Sequence, residues 1–173
     1  MLNRFSRGWY VLYVRSRYEK RVDEQLKFSG LTSYLPLIKK IKKWSDRKKI
    51  VEEPLFRSYV FVNIQQQFEF SRALSLDGVC DFVRFGNELA MVRDGEIENI
   101  RILLQGDLKN IETVRHMPQV GEVRKIQHGS LKGLECEILR INGENKILVR
   151  VNSIHTDITA TVPLGCFQHA AAR

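Results

Sequence analysis

The sequence predicts an α+β fold: an N-terminal α/β sandwich, with helices flanking a mainly antiparallel four-stranded sheet, followed by a small C-terminal β-barrel. Two observations predict it. Strand-like and helix-like segments follow the order β-α-β-β-α-β-α over the first hundred residues with short links, the pattern of helices packed on a sheet. Beyond residue 117 the pieces VRKI, LECEILRI, KILVRV and ITATVPL are separated by HGSLKG and INGEN. Short strands at regular spacing with glycine turns suggest a strongly bent barrel.

Each element has its own warrant. WYVLYVR (9–15) is aromatic and β-branched and reads as a strand. Ser16 is placed to cap the helix that follows, in which Tyr18, Val22 and Leu26 recur every four residues as one stripe. Gly30 stands where a helix ends. LTSYLPLI is a short strand, KKIKKWSDRKK a charged stretch, and VEEPLFRSYVFVNI a second long strand. QQQFEFSRALSLDG reads as a helix stopped by Asp77-Gly78, and VCDFVRF as a strand. Asp94 caps a last helix with an Ile97, Ile100, Leu103 and Leu104 stripe, and Glu96 and Glu98 sit in its first turn, where the dipole favours anions. Residues 106–117 lack a period and read as a linker between domains at 1–105 and 118–173. Asn142-Gly143 signals a turn between two strands.

Composition narrows the function. Residues 1–49 hold 14 Lys/Arg against 4 Asp/Glu, a net +10, and residues 50–173 a net −2, which together make the +8 of the chain. A positive field confined to one end suits docking on a polyanion, most often nucleic acid. The alternative is a solvated basic face. Cys80, Cys136 and Cys166 form no CxxC pair, and the four histidines have no ligand spacing, so no metal or disulfide framework is expected. The chain lacks an apolar run near the ~20 residues that cross a bilayer, and its start lacks a signal-peptide core. The expectation is a reduced, cytoplasmic, monomeric protein without cofactor. No Ser-His-acid order, phosphate-binding loop or GxGxxG appears, so no enzyme is expected.

The stretch PLFRSYVFVNI (54–64) poses the sharpest question, because almost every position from Tyr59 onward is apolar. In a strand Tyr59, Phe61 and Asn63 point one way, and Val60, Val62 and Ile64 the other. Strict alternation puts Phe56 on the Val60 side. The branched residues suit the face under the helices, which leaves Tyr59 and Phe61 opposite, on the parity that Trp9, Tyr13 and Arg15 share in their strand. These rings either pack internally or face a partner. At the basic end, Arg17, Lys20 and Arg21 are spaced to lie on one side of the first helix. Seven cations and Trp44 in residues 39–49 suit a hairpin near nucleic acid, where charge and stacking act together.

WYVLYVR with its basic helix, EPLFRSYVFVNI and GVCDFVRFG resemble, in that order, the N-terminal domain of the NusG family of transcription elongation factors. GSLKGLECEI resembles the core of the KOW motif that forms the C-terminal domain of that family. The resemblance covers roughly residues 8–168. The EPLF and GVxxFVRFG stretches are closer to the specialised RfaH-like and UpxY-like members. It implies an N-terminal domain that binds the clamp coiled coil of RNA polymerase, bridges the DNA channel and suppresses pausing. It also implies a KOW domain that binds a ribosomal protein or a termination factor, and recruitment to a few operons. Tyr13, Phe56, Tyr59 and Phe61 match polymerase-contacting positions, with Tyr13, Tyr59 and Phe61 expected on an exposed face. Arg15, Arg17, Lys20 and Arg21 match the region that touches DNA of the transcription bubble. Gly129 and Gly133 form the KOW turn, and Leu134 and Ile154 match partner-binding positions, though either could be ordinary core.

The departures are specific. Arg57 and Ser58 stand where the family usually has Pro and Gly/Asn, which is expected to loosen the turn into the strand. Cys136 replaces a usual small Gly. Leu76 and Asp77 replace DNA-contacting residues of RfaH-like proteins, so no DNA element carries over. HGSLKG, INGEN and Pro163 would break helices, which favours a β-barrel over a helical hairpin. The competing reading, from another class, is a ribosome-associated RNA-binding KOW protein. It needs a basic barrel, which residues 118–173 do not supply.

Overall fold

The computed structural model describes residues 6–43, 48–106, 108–115, 123–126, 130–141 and 144–162. Two compact units divide the chain, Met1–Asp94 and Gly95–Arg173. The first contains β1 (Gly8–Val14), α1 (Glu19–Phe28), β2 (Thr32–Tyr34), β3 (Leu37–Lys43), β4 (Lys48–Pro54), β5 (Tyr59–Ile64), α2 (Phe68–Leu74), β6 (Val79–Phe82), β7 (Arg84–Phe85), β8 (Glu88–Leu89) and β9 (Met91–Val92). Helix α3 (Asp94–Gln105), which starts at the boundary, β10 (Lys109–Arg115), β11 (Val123–Lys125), β12 (Glu135–Ile141), β13 (Glu144–Val151), a 3-10 turn (Asn152–Ile154) and β14 (Thr156–Thr161) make up the second.

The sheet of the first unit runs β2-β5-β1-β6, with β9 as a fifth strand against β1. All its pairs are antiparallel, and the central pair aligns Leu12 with Val60 and Tyr13 with Tyr59. The predicted face division holds on one side. Leu12, Val14, Val60, Val62 and Ile64 pack with Val22 and Leu26 of α1 and Ala73 of α2 in one buried cluster. Burial of each large apolar chain there contributes about 1.5–3 kcal/mol. Tyr10, Phe70 and Phe82 close it with edge-on ring contacts at 5.0 to 6.1 Å.

Several local expectations are corrected. Helix α1 begins at Glu19 after Tyr18, whose amide is bonded to the Arg15 carbonyl, so Ser16 caps nothing. Arg17 adopts φ +69°, which takes it out of the helix. The long second strand is broken at 55–58. Ser58, at φ +61°, sits in the left-handed region where the family pattern favours Gly or Asn. Ser58 N–H donates to the buried Glu19 Oε1 at 2.8 Å, which ties this turn to α1. A carboxylate from α1 thus supports a backbone conformation that an L residue adopts at a cost.

The C-terminal strands form one antiparallel sheet in the order β10-β14-β13-β12-β11. Strand β10 lies inside the stretch expected as a linker. It is an edge strand whose register shifts between Lys109 and Glu112, with Asn110 at φ +53°. An irregular edge erases the two-residue period by which a strand is read. Strands β12 and β13 pair as far as Ile141 and Glu144. The Asn142-Gly143 turn signal between them, Pro163, Cys166 and Gly129 lie outside the described residues. Glu96, expected to serve the helix dipole, is buried and accepts hydrogen bonds from the Ser153 amide (3.3 Å) and hydroxyl.

Candidate functional site

The aromatic face is built by β1 and β5. Tyr13 and Tyr59 are cross-strand partners with ring centroids 6.2 Å apart, edge to face. Tyr13 is 49% exposed and Tyr59 is half-buried. Phe61, one pleat further along, is completely buried, against the expectation of an exposed ring. Phe56 abuts it edge-on at 5.7 Å, and Tyr34 stacks on it at 6.2 Å and 29°. Phe56 is itself buried and lies against Phe61, not on the Val60 side. Alternation fails there because the left-handed Ser58 reverses the chain before β5 begins. Phe56 and Phe61 therefore support the face from beneath, and Tyr13 and Tyr59 present it. Tyr34 escaped the sequence reading, because its three-residue strand carries no period.

The basic residues lie beside this pair. Arg15, Arg17, Lys20 and Arg21 are all exposed, at the end of β1 and the start of α1. Arg17 does not join Lys20 and Arg21 by helical spacing, since it precedes α1. The structure instead brings Arg15 and Arg21 together. Both guanidinium groups lie over the Tyr18 ring, at 5.9 and 5.5 Å, and both pair with the Asp77 carboxylate. The sequence marked Asp77 as a helix stop and as a departure from the DNA-contacting residues of RfaH-like proteins, but not as a partner of Arg15 and Arg21.

Residues 39–49 belong mostly to the β3–β4 ribbon, which pairs with no other strand among the described residues. Its register sets Lys42 opposite Lys49, Lys43 opposite Lys48, and Ile41 opposite Ile50, the two isoleucines being about two-thirds exposed. Trp44 lies outside the described residues.

In the second unit Gly133 adopts φ +91°, as a tight turn requires, and its amide bonds the Ile126 carbonyl at 2.8 Å. Leu134 and Ile154 are buried, so neither offers a side chain to a partner in this conformation. Their neighbours touch α3. Glu135 N–H donates to Asn99 Oδ1 at 3.3 Å, and Ser153 bonds Glu96. Among the described residues no group of three or more His, Cys, Asp or Glu is placed to hold a metal ion. No helix described is long and apolar enough to cross a membrane.

Residues 7–101 match the family model described as "Transcription termination factor nusG". Among solved structures the chain is similar to that of "Domain interaction in Thermotoga maritima NusG", at 24% identity and a TM-score of 0.47, covering 89% of this chain and 93% of that one. It is also similar to the MjSpt4:Spt5 complex in conformation A, at 15% identity and a TM-score of 0.34, covering 89% and 93%. The family match runs from β1 into α3, more than half of the 173 residues, and takes in the paired tyrosines, the basic end and the turn that Ser58 makes: the chain belongs to the NusG family.

Proposed function

We propose that this protein is an operon-specific transcription elongation and antitermination factor. Its N-terminal domain (1–105) docks on the RNA polymerase clamp, and its KOW domain (118–173) takes a second partner, a ribosomal protein or a termination factor. The observation that carries the reading is the Tyr13–Tyr59 ring pair, open to solvent on the central strands and supported by buried Phe56 and Phe61. Rigid exposed aromatics over a packed floor are what hot spots of protein interfaces are made of. The test is capture of purified polymerase by wild type and by the Tyr13→Ala and Tyr59→Ala variants. Binding weaker by at least tenfold at unchanged melting temperature is expected for each, as befits an interface anchor worth about 2 kcal/mol or more. Capture of ribosomes with no capture of polymerase would instead support the RNA-binding alternative.

The basic end serves the DNA of the transcription bubble in this reading. Support comes from the exposure of Arg15, Arg17, Lys20 and Arg21, and from the facing lysines of the β3–β4 ribbon. Lys42 of this ribbon is paired with Glu53 at 2.5 Å, and Lys49 opposite it is exposed. Isolated affinity for nucleic acid is expected to be non-specific, with Kd on the order of 10⁻⁴–10⁻⁶ M at physiological salt. Replacing both Arg17 and Arg21 with Ala is expected to lower the slope of log K against log salt by up to about 1.4–1.8. Elongation-complex binding across a salt series measures this, and an unchanged slope would reduce these arginines to a solvated face. A partner that uses Leu134 or Ile154 must first open the second unit around them.

A further inference from the structure

Asp77 sits in the middle of the basic cluster. Its Oδ2 lies 3.0 Å from Arg21 Nη2 and its Oδ1 3.7 Å from Arg15 Nη1. The loop that carries it is fixed in place. The Gly78 carbonyl accepts the Arg15 amide at 2.8 Å. Gly78 holds φ +96°, and a Cβ added there would come within 2.5 Å of Tyr18 Cδ1. Tyr18 is the ring over which both guanidinium groups lie. The carboxylate is therefore held by the same platform that positions the two arginines. A planar anion bridging two guanidinium groups occupies the place that a backbone phosphate would take.

We propose that Asp77 is an internal competitor for phosphate, an anion built into the site that nucleic acid must displace to engage Arg15 and Arg21. The proposal rests on the reading of these arginines as nucleic-acid-binding. A phosphodiester and a carboxylate each carry one negative charge, so the exchange replaces one bridging anion by another and gains little by itself. The contact then forms chiefly when a second anchor holds the strand in place. Asp77 thus sets a threshold against stray nucleic acid, and its own exposure, about half, leaves it free to swing aside.

The test is fluorescence anisotropy of a single-stranded deoxyoligonucleotide with full-length protein over a salt series. Asp77→Asn is expected to bind about two- to tenfold tighter at low salt, the combined worth of two exposed ion pairs. Its slope of log K against log salt should steepen by up to about 0.7, since one more positive charge is left to neutralise phosphate. Asp77→Glu keeps the charge and should stay within about twofold of wild type. Glu24→Gln, which removes another exposed carboxylate from α1, should gain less than Asp77→Asn. The gain of Asp77→Asn should vanish when Arg15 and Arg21 are both alanine. A variant no tighter than Glu24→Gln would overturn the proposal, leaving only a long-range field. Weaker binding would overturn it too, showing that Asp77 orients the arginines. If alanine at both Arg15 and Arg21 changes neither affinity nor slope in the Asp77→Asn background, where no internal anion competes, the nucleic-acid reading itself fails.

Discussion

Phe61→Ala is expected to destabilise the N-terminal unit by about 3–5 kcal/mol, the cost of truncating a fully buried aromatic. The side chain is inaccessible to solvent, with Phe56 edge-on to it and Tyr34 stacked on it. Alanine would leave a void bounded by two aromatic faces on a central strand pair, where β1 and β2 both hold β5 in register. Such a void collapses poorly, because moving β5 would also disturb Val60 and Val62 on the opposite face. Chemical denaturation followed by tryptophan fluorescence measures the loss, since Trp9 lies on the neighbouring strand, across from Asn63. A cost below about 1 kcal/mol would mean that the ring is not packed as described. Any loss of polymerase binding by Phe61→Ala then reports unfolding, which is why Tyr13 and Tyr59 are the proper probes of docking.

Arg150→Met is expected to cost about 3–5 kcal/mol in the second unit, as is typical when one partner is removed from a buried ion network. Arg150 on β13 donates through Nε and Nη2 to Glu137 of β12, the latter at 3.0 Å, and through Nη1 to Asp157 of β14 at 3.2 Å. Both carboxylates are essentially inaccessible, so methionine would leave two buried negative charges without this cation. The pairing to Glu137 holds the guanidinium pKa above its ordinary value. Cys136 supplies the readout. Burial, aided by the charge of Glu137, pushes its thiol up to about 12, so a thiolate-directed reagent at pH 8 reaches it only through opening of the sheet. In a background with Cys80 and Cys166 replaced by serine, alkylation of Cys136 should accelerate by roughly two to three powers of ten in Arg150→Met. An unchanged rate would assign the triad to the surface.

Much of the fold was legible because it is written in local periods. The four-residue stripe of α1 and the branched parity of β5 announced a sheet with helices on one face. What broke the reading was a single backbone choice at a time. Ser58 turns left-handed and sends Phe56 to the opposite side from the one that alternation assigns, and Asn110 does the same to the period of β10. Serine does not advertise the conformation, and a single asparagine, though it tolerates it, is too weak a signal to fix a turn. Arg17 likewise leaves the helical spacing that grouped it with Lys20 and Arg21.

By itself, the sequence determined the principal strands and helices of the first unit, the positive bias of the first 49 residues and the family. These depend on neighbours within a few positions, or on composition, and both survive in a linear string. Only the tertiary structure decided which aromatics are floor and which are surface. Only it set Asp77 between Arg15 and Arg21, and Glu96 against Ser153 across 57 positions of chain. Periodicity tells which side of an element a residue faces. What stands opposite that side is fixed by segments far away in the chain, and those contacts decide whether a tyrosine is exposed or buried and whether an arginine faces solvent or a carboxylate.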